Sequence, residues 1–237
     1  MYDLRPYAEL KIEEVTPASI MYKLESIHRR LNESYNQIAA DKKIDVTLSI
    51  GADDVYWASA LLNALTSRQK DVSVRSFKHS THGGTALPAL TTLAFNESAP
   101  ISVTVVIKAN DDVGPSVSLG SRKHGPVVGW MAVWKLLGRL GGLYPTETGA
   151  FADTATRMDF WLAKAMTLAR GDEKTKEVTA REMSAFLGRC DFLGAVDGLS
   201  LTDVVVYGLL CRNDKNASNL ESWLDRCRAV GVKACCC

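Results

Sequence analysis

The chain of 237 residues carries 28 basic against 27 acidic side chains, a formal net charge of +1, and 46% hydrophobic residues. That apolar share is ordinary for a globular protein with a core and excludes disorder as the dominant state, while the charge balance lacks the long-range field of a dedicated nucleic-acid binder. No apolar stretch approaches the roughly 20 residues of a membrane-spanning helix and the first residues lack an apolar signal-peptide core, so the cytosol is the expected compartment, the nucleus is an alternative, and no direct contact with nucleic acid or membrane is expected.

Residues 1–44 read as a leader in two parts. Up to about Ser19 the text is irregular, and Pro6 and Pro17 interrupt any helix. From Met21 to about Ala40, Leu24, Ile27, Leu31, Tyr35 and Ile38 fall at three- and four-residue steps, a helical spacing too short for a coiled coil. Met1-Tyr2-Asp3-Leu4 and Met21-Tyr22-Lys23-Leu24 both spell Met-Tyr-x-Leu. Apolar side chains in such a segment either pack back onto their own domain or dock on another protein. The docking candidates are Met1, Tyr2, Leu4, Pro6, Tyr7, Met21, Tyr22, Leu24 and Ile27, because aromatic and Met side chains dominate interfaces and Pro6 keeps the first phrase extended.

From Asp45 the pattern alternates between strand and helix. Val46–Ile50 reads as a strand, and Gly51-Ala52-Asp53 turns into a helix through Trp57, Leu61, Leu62 and Leu65. Val72–Lys78 reads as a second strand and Ala86–Phe95 as a short helix. Ile101–Lys108, β-branched almost throughout, is the strongest strand, apolar enough to be buried on both faces. Val117–Leu119 is expected to pair beside it, and Gly125-Pro126 to open a helix that runs to Leu140 and stops at Gly141-Gly142. The order strand, helix, strand, helix, strand, strand, helix is that of a thioredoxin-like domain.

Past Pro145 the β pattern disappears and four helices follow. Phe151, Ala155, Met158, Leu162, Ala165 and Ala169 form one stripe; Val178, Met183, Phe186 and Leu187 belong to a second helix; Leu220, Trp223, Leu224 and Cys227 form the stripe of the last. Between them Val204–Leu210 is apolar all round and should lie at the centre of its half. Ser200 and Asp203 have the spacing of a capping box, with Leu199 and Val204 placed as a hydrophobic staple, so both polar groups are read as structural rather than catalytic. Cys190, Cys211 and Cys227 stand singly within apparent helices, as reduced cytosolic thiols do. Cys235-Cys236-Cys237 lacks the Cys at position 234 that a prenylation box needs, and neighbouring ligands for zinc, which leaves an unmodified tail as the favoured reading.

A thioredoxin-like half followed by an all-helical half, with a Ser/Thr-x-x-Asp cap opening an apolar helix, resembles the glutathione-transferase superfamily. Phe186-Leu187-Gly188 through Phe192-Leu193-Gly194 to Leu199-Ser200-Leu201-Thr202-Asp203-Val204-Val205 is similar to the stretch where that superfamily places a helix, a loop and the capped helix in turn. The expected fold class is therefore α/β plus all-α, glutathione-transferase-like. Its thioredoxin-like subdomain spans 45–145 and its helical subdomain 146–237, after the leader over 1–44.

The leader narrows the resemblance. Met1-Tyr2-Asp3-Leu4-Arg5-Pro6-Tyr7 and Met21-Tyr22-Lys23-Leu24-Glu25-Ser26-Ile27-His28 resemble the start of the aminoacyl-tRNA synthetase complex-interacting multifunctional proteins. The resemblance implies that lysyl-tRNA synthetase binds the leader. It further implies that synthetases or factors with transferase-like domains, such as glutamyl-prolyl- and aspartyl-tRNA synthetase, dock on residues 45–230. The long leucine-zipper region of the vertebrate form is missing between leader and domain.

The alternative is an active glutathione transferase. Such an enzyme needs a hydroxyl or thiol donor near the end of the first strand to lower the thiol pKa of glutathione, helped by a helix N-terminus. The turn here is Gly51-Ala52-Asp53-Asp54, whose carboxylates would repel a thiolate. The superfamily's acid and Ser at the start of the third helix have as counterpart Ser121-Arg122-Lys123-His124-Gly125-Pro126, which has no acid. Arg122 and Lys123 at a helix start could hold an anion, though a solvated face is the favoured reading. Ala99-Pro100 stands where the fold often has a cis proline. His79-Ser80-Thr81-His82 has metal-like spacing but no Cys or acid beside it, His28 and His124 are single, and Gly138, Gly141 and Gly142 lack the context of a phosphate loop. No catalytic residue, cofactor or metal is expected.

Overall fold

A computed structural model describes residues 44–68, 72–79, 96, 99–109, 114–120, 125–145, 152–194, 198–213 and 216–233. The chain divides into two units, residues 1–42 and 43–237. The leader anchors Met1, Tyr2, Leu4, Pro6, Tyr7, Met21, Tyr22, Leu24 and Ile27, the helix over 86–95, the segment 121–124 and Cys235–Cys237 lie outside the described residues.

The second unit begins with β1 (Ile44–Gly51), a 3-10 turn (Ala52–Asp54) and α1 (Val55–Arg68). β2 (Val72–Lys78), β3 (Ile101–Lys108), β4 (Ser116–Leu119) and β5 (Val127–Val128) complete a five-stranded sheet in the order β2-β3-β1-β4-β5. β3 runs parallel to both neighbours, pairing Val103 with Val46 and with Val74. Its β-branched residues suit this position between two strands, where both edges are hydrogen-bonded. β4 pairs antiparallel with β1, Leu48 facing Val117, and β5 with β4. The parallel pair β3–β1, continued by the β4–β5 hairpin and α2 (Trp130–Leu140), makes the thioredoxin-like unit, with β2 added at its outer edge.

Two expectations are corrected, and one open question is answered. Val117–Leu119 pairs with β1, not with Ile101–Lys108. The residues after Gly125-Pro126 do not open a helix: Val127 and Val128, both β-branched, form β5, and Gly129, at φ 102, turns the chain so that α2 starts at Trp130. Arg122 and Lys123 lie outside the described residues, ahead of β5 in the chain. The Ala99–Pro100 bond is trans, and the Pro100 carbonyl accepts the Ile44 amide at 2.7 Å, tying the start of β1 to that of β3.

The helical half consists of α3 (Ala152–Arg170), α4 (Glu173–Leu187), α5 (Leu201–Leu210) and α6 (Ser218–Ala229). α5 is buried along nearly its whole length, the consequence of an apolar sequence on every face. It crosses α1 where Gly208 meets Trp57, so closely that a Cβ at Gly208 would stand 2.5 Å from the Trp57 Cα. The two halves share one core containing Trp57, Trp134, Tyr207 and Trp223. Val178 lies in α4, as expected, with its side chain 47% exposed. Cys190 and Cys211 sit just past the ends of α4 and α5, half-buried, whereas Cys227 lies buried inside α6.

Candidate functional site

The place to examine for chemistry is the carboxyl end of β1, where the chain passes from a buried strand into the amino end of α1. Two acids stand in this turn and their environments differ. Asp53 is exposed, while Asp54 is 9% exposed and its Oδ1 accepts the indole N–H of Trp57 at 2.7 Å and that of Trp130 at 2.8 Å. Two donors on one oxygen satisfy a carboxylate that burial would otherwise penalise. Trp57 also meets Trp134 edge to face, their ring centroids 5.8 Å apart. Trp130 packs against Gly114, whose φ of 87° favours glycine and where a Cβ would lie 2.6 Å from the ring. The Arg170 guanidinium, from the last turn of α3, lies 4.2 Å from the centre of the Trp130 ring.

Nothing at this turn resembles a thiol-activating donor. No Ser, Thr, Tyr or Cys occupies Gly51–Asp54, and the one buried acid is held by two indoles. The start of α2, Gly129-Trp130-Met131, offers no acid or Ser either. His79 stands at the end of β2, its amide donating to the Ile107 carbonyl at 2.8 Å, and His82 lies outside the described residues. Among the described residues there is no group of three or more His, Cys, Asp or Glu that could hold a metal ion. Gly142, with φ 62°, simply ends α2 in a left-handed turn.

A cleft of about 440 Å³ opens elsewhere, on the helical half, among the start of α4, the end of α5 and the start of α6. Leu168, Leu209, Leu210 and Leu220 form its floor and Glu173, Lys176, Glu177 and Arg181 its rim; no residue of the β1–α1 turn lines it. Its charges are already paired, Lys176 with Glu173 at 3.0 Å and Arg181 with Glu177 at 2.6 Å.

The capping box falls where its spacing placed it. Asp203 is fully buried and accepts four hydrogen bonds: from the Leu193 amide (2.7 Å), the Ser200 amide (3.1 Å), the Ser200 hydroxyl (2.5 Å) and the Trp223 indole (3.1 Å). Burial pushes its pKa up and the four donors pull against that shift. The bonds to Leu193 and Trp223, which fasten the loop before α5 and the last helix to one carboxylate, are not signalled by the Ser-x-x-Asp spacing. Burial likewise pushes the Cys227 thiol well up, so it stays protonated at neutral pH.

A second polar knot joins α2 to α3. Asp159 accepts Lys135 Nζ at 2.7 Å and the Tyr144 hydroxyl at 2.8 Å, and Lys135 and Arg139 flank the Tyr144 ring at 5.4 and 5.6 Å. Burial first, then the bond to Asp159, raises the Tyr144 phenol to about 12. A phenol held protonated in this way fastens two helices and is unsuited to ionise as a nucleophile.

These features define a glutathione-transferase-like fold: a thioredoxin-like α/β half, a helical half and the buried cap that opens α5. No family model matches the chain, and no curated protein does. Among solved structures it is similar to a possible glutathione S-transferase from Rhodopseudomonas palustris (14% identity, 79% of this chain and 94% of that one covered, TM-score 0.49). It is also similar to a glutathione transferase from Methylococcus capsulatus (14%, 78% and 93%, 0.46). A chain from two binary sub-complexes of the yeast aminoacyl-tRNA synthetase complex is similar as well (14%, 76% and 84%, 0.43). No helix among the described residues is long and apolar enough to cross a membrane.

Proposed function

We propose that the chain is a non-catalytic scaffold of the cytosolic multisynthetase complex, of the kind called aminoacyl-tRNA synthetase complex-interacting multifunctional protein 2. Its leader would bind lysyl-tRNA synthetase through Met1, Tyr2, Leu4, Pro6, Tyr7, Met21, Tyr22, Leu24 and Ile27. Residues 45–230 would engage other synthetases or factors with transferase-like domains. Two binding segments on one chain raise the local concentration of their partners for each other without any catalysis.

Asp54 carries the non-catalytic part of this reading. Where a glutathione transferase needs a donor to stabilise a thiolate, a buried acid accepts from Trp57 and Trp130, and bringing a second anion beside it would cost Coulomb energy, the Arg170 guanidinium being stacked on the Trp130 ring. The partner assignment rests on the two Met-Tyr-x-Leu phrases, which stand in order ahead of the transferase-like domain.

The test is capture of lysyl-tRNA synthetase by the full chain and by the chain lacking residues 1–44. Loss of capture on removal is the expected result, and equal capture by both refutes the leader assignment. The same preparation is passed over immobilised glutathione and assayed with a standard electrophile. Retention together with turnover would identify a transferase instead.

A further inference from the structure

Trp130, packed beside the β1–α1 turn, is gripped from both halves of the fold. Its indole N–H donates to Asp54 of the α/β half at 2.8 Å, and its ring face carries Arg170 of α3 at 4.2 Å. Gly114 closes the ring in from another side, at a position where even one carbon more would collide with it. Trp130 is also the first residue of α2, directly after the exposed edge strand β5 and Gly129.

We propose that Arg170, Trp130 and Asp54 form a conformational relay, through which the solvent-exposed end of α3 sets the order of the β1–α1 turn and of the β5–α2 corner. Arg170 is exposed and, among the described residues, forms no ion pair. A stacked guanidinium keeps its in-plane N–H groups available, so a carboxylate approaching the end of α3 can pull it from the ring. The indole then loses one of its two polar fixings, and the corner is left with the bond to Asp54, the Gly129 amide on the Pro115 carbonyl (2.8 Å) and the β4–β5 pairing. Asp54 keeps its second donor, Trp57, so α1 beyond its first turn stays anchored while the β1–α1 turn and the corner loosen. Coupling of this kind is reciprocal: whatever orders Val127 and Val128 should also favour the stacked position of Arg170. The relay is independent of whether the chain is a scaffold.

The test is hydrogen exchange of the full chain read by mass spectrometry, comparing the native protein with Arg170→Ala, Trp130→Phe and the double variant. A cation–π contact at an exposed site predicts exchange about two- to fivefold faster in peptides covering 52–58 and 127–133 of Arg170→Ala, with α5 unchanged. The double variant should add nothing to the change in 52–58 seen in Trp130→Phe. Faster exchange confined to 165–172, or additive effects in the double variant, overturns the relay. Arg170→Lys, which keeps the cation and loses the planar stack, should fall between native and Arg170→Ala. Faster exchange throughout the domain in Arg170→Lys also overturns it.

Discussion

Replacing Asp203 by Ala puts the helical half to its most direct test. The carboxylate is fully buried and collects four donors, of which the Leu193 amide, the Ser200 amide and the Trp223 indole have fixed directions and cannot turn to another acceptor. Only the Ser200 hydroxyl can rotate. Each buried donor left without a partner costs about 1–3 kcal/mol, and neighbouring losses overlap, so three of them sum to about 3–5 kcal/mol. That is a large share of the roughly 5–15 kcal/mol that stabilises a typical domain. At about 2–4 °C per kcal/mol for a domain of 150–250 residues, melting falls by roughly 6–20 °C. Urea titration followed by tryptophan fluorescence reports it directly, because Trp223 is itself one of the donors. Asp203→Asn, which keeps one acceptor oxygen, should lie between, and Trp223→Phe should cost only about 1–3 kcal/mol because the acceptor keeps its other donors. An Asp203→Ala protein within about 1 kcal/mol of the native one would refute the hub and mean that water replaces the carboxylate at α5.

Two further outcomes follow from the packing between elements. Gly208→Ala should cost about 2–4 kcal/mol, since the added Cβ meets the Trp57 backbone 2.5 Å away and a backbone cannot swing aside; thermal unfolding measures it. Tyr144 should remain protonated beyond the usual tyrosine range, so the absorbance difference at 295 nm between native protein and Tyr144→Phe should show no phenolate band at about pH 10.5. Because the folded phenol holds its proton more tightly than the unfolded one, its contribution to stability is complete below about pH 10 and is lost as pH rises toward about 12.

The elements that periodicity specifies strongly were legible in the sequence: β1 and β3 from their β-branched runs, α5 from its apolar faces, the cap from Ser200 and Asp203. Strand order was not legible. β1 and β3 carry similar apolar text, and nothing local says that β3 enters between β1 and β2, or that Val117 faces Leu48 instead of β3. Pro126 gave a false helix start because proline at a first helical position and proline before an edge strand read alike, and the two-residue β5 is too short to declare itself. Gly129, directly after the Val pair, was the available signal for a turn there. The bond from Trp130 to Asp54 spans 76 positions and leaves no trace in local spacing, so Asp54 could be read as an unwelcome charge but not as the acceptor for two indoles. The leader phrases lie outside the described residues, and the reading of them as ligands still rests on sequence.

The sheet order has a consequence for how the chain is made. β1 and β2 are synthesised first, yet neither pairs with the other; the strand that joins them, β3, begins at Ile101, fifty-seven residues after Ile44. Until it emerges from the ribosome, two apolar strands wait with open edges on either side of a gap, a state in which nascent chains are most exposed to wrong pairing. Closing that gap parallel on both sides is a long-range event, intrinsically slow compared with forming helices. For this chain the vulnerable interval in the cell is the one between β2 and β3, and a chaperone that shields strand edges would be needed there first.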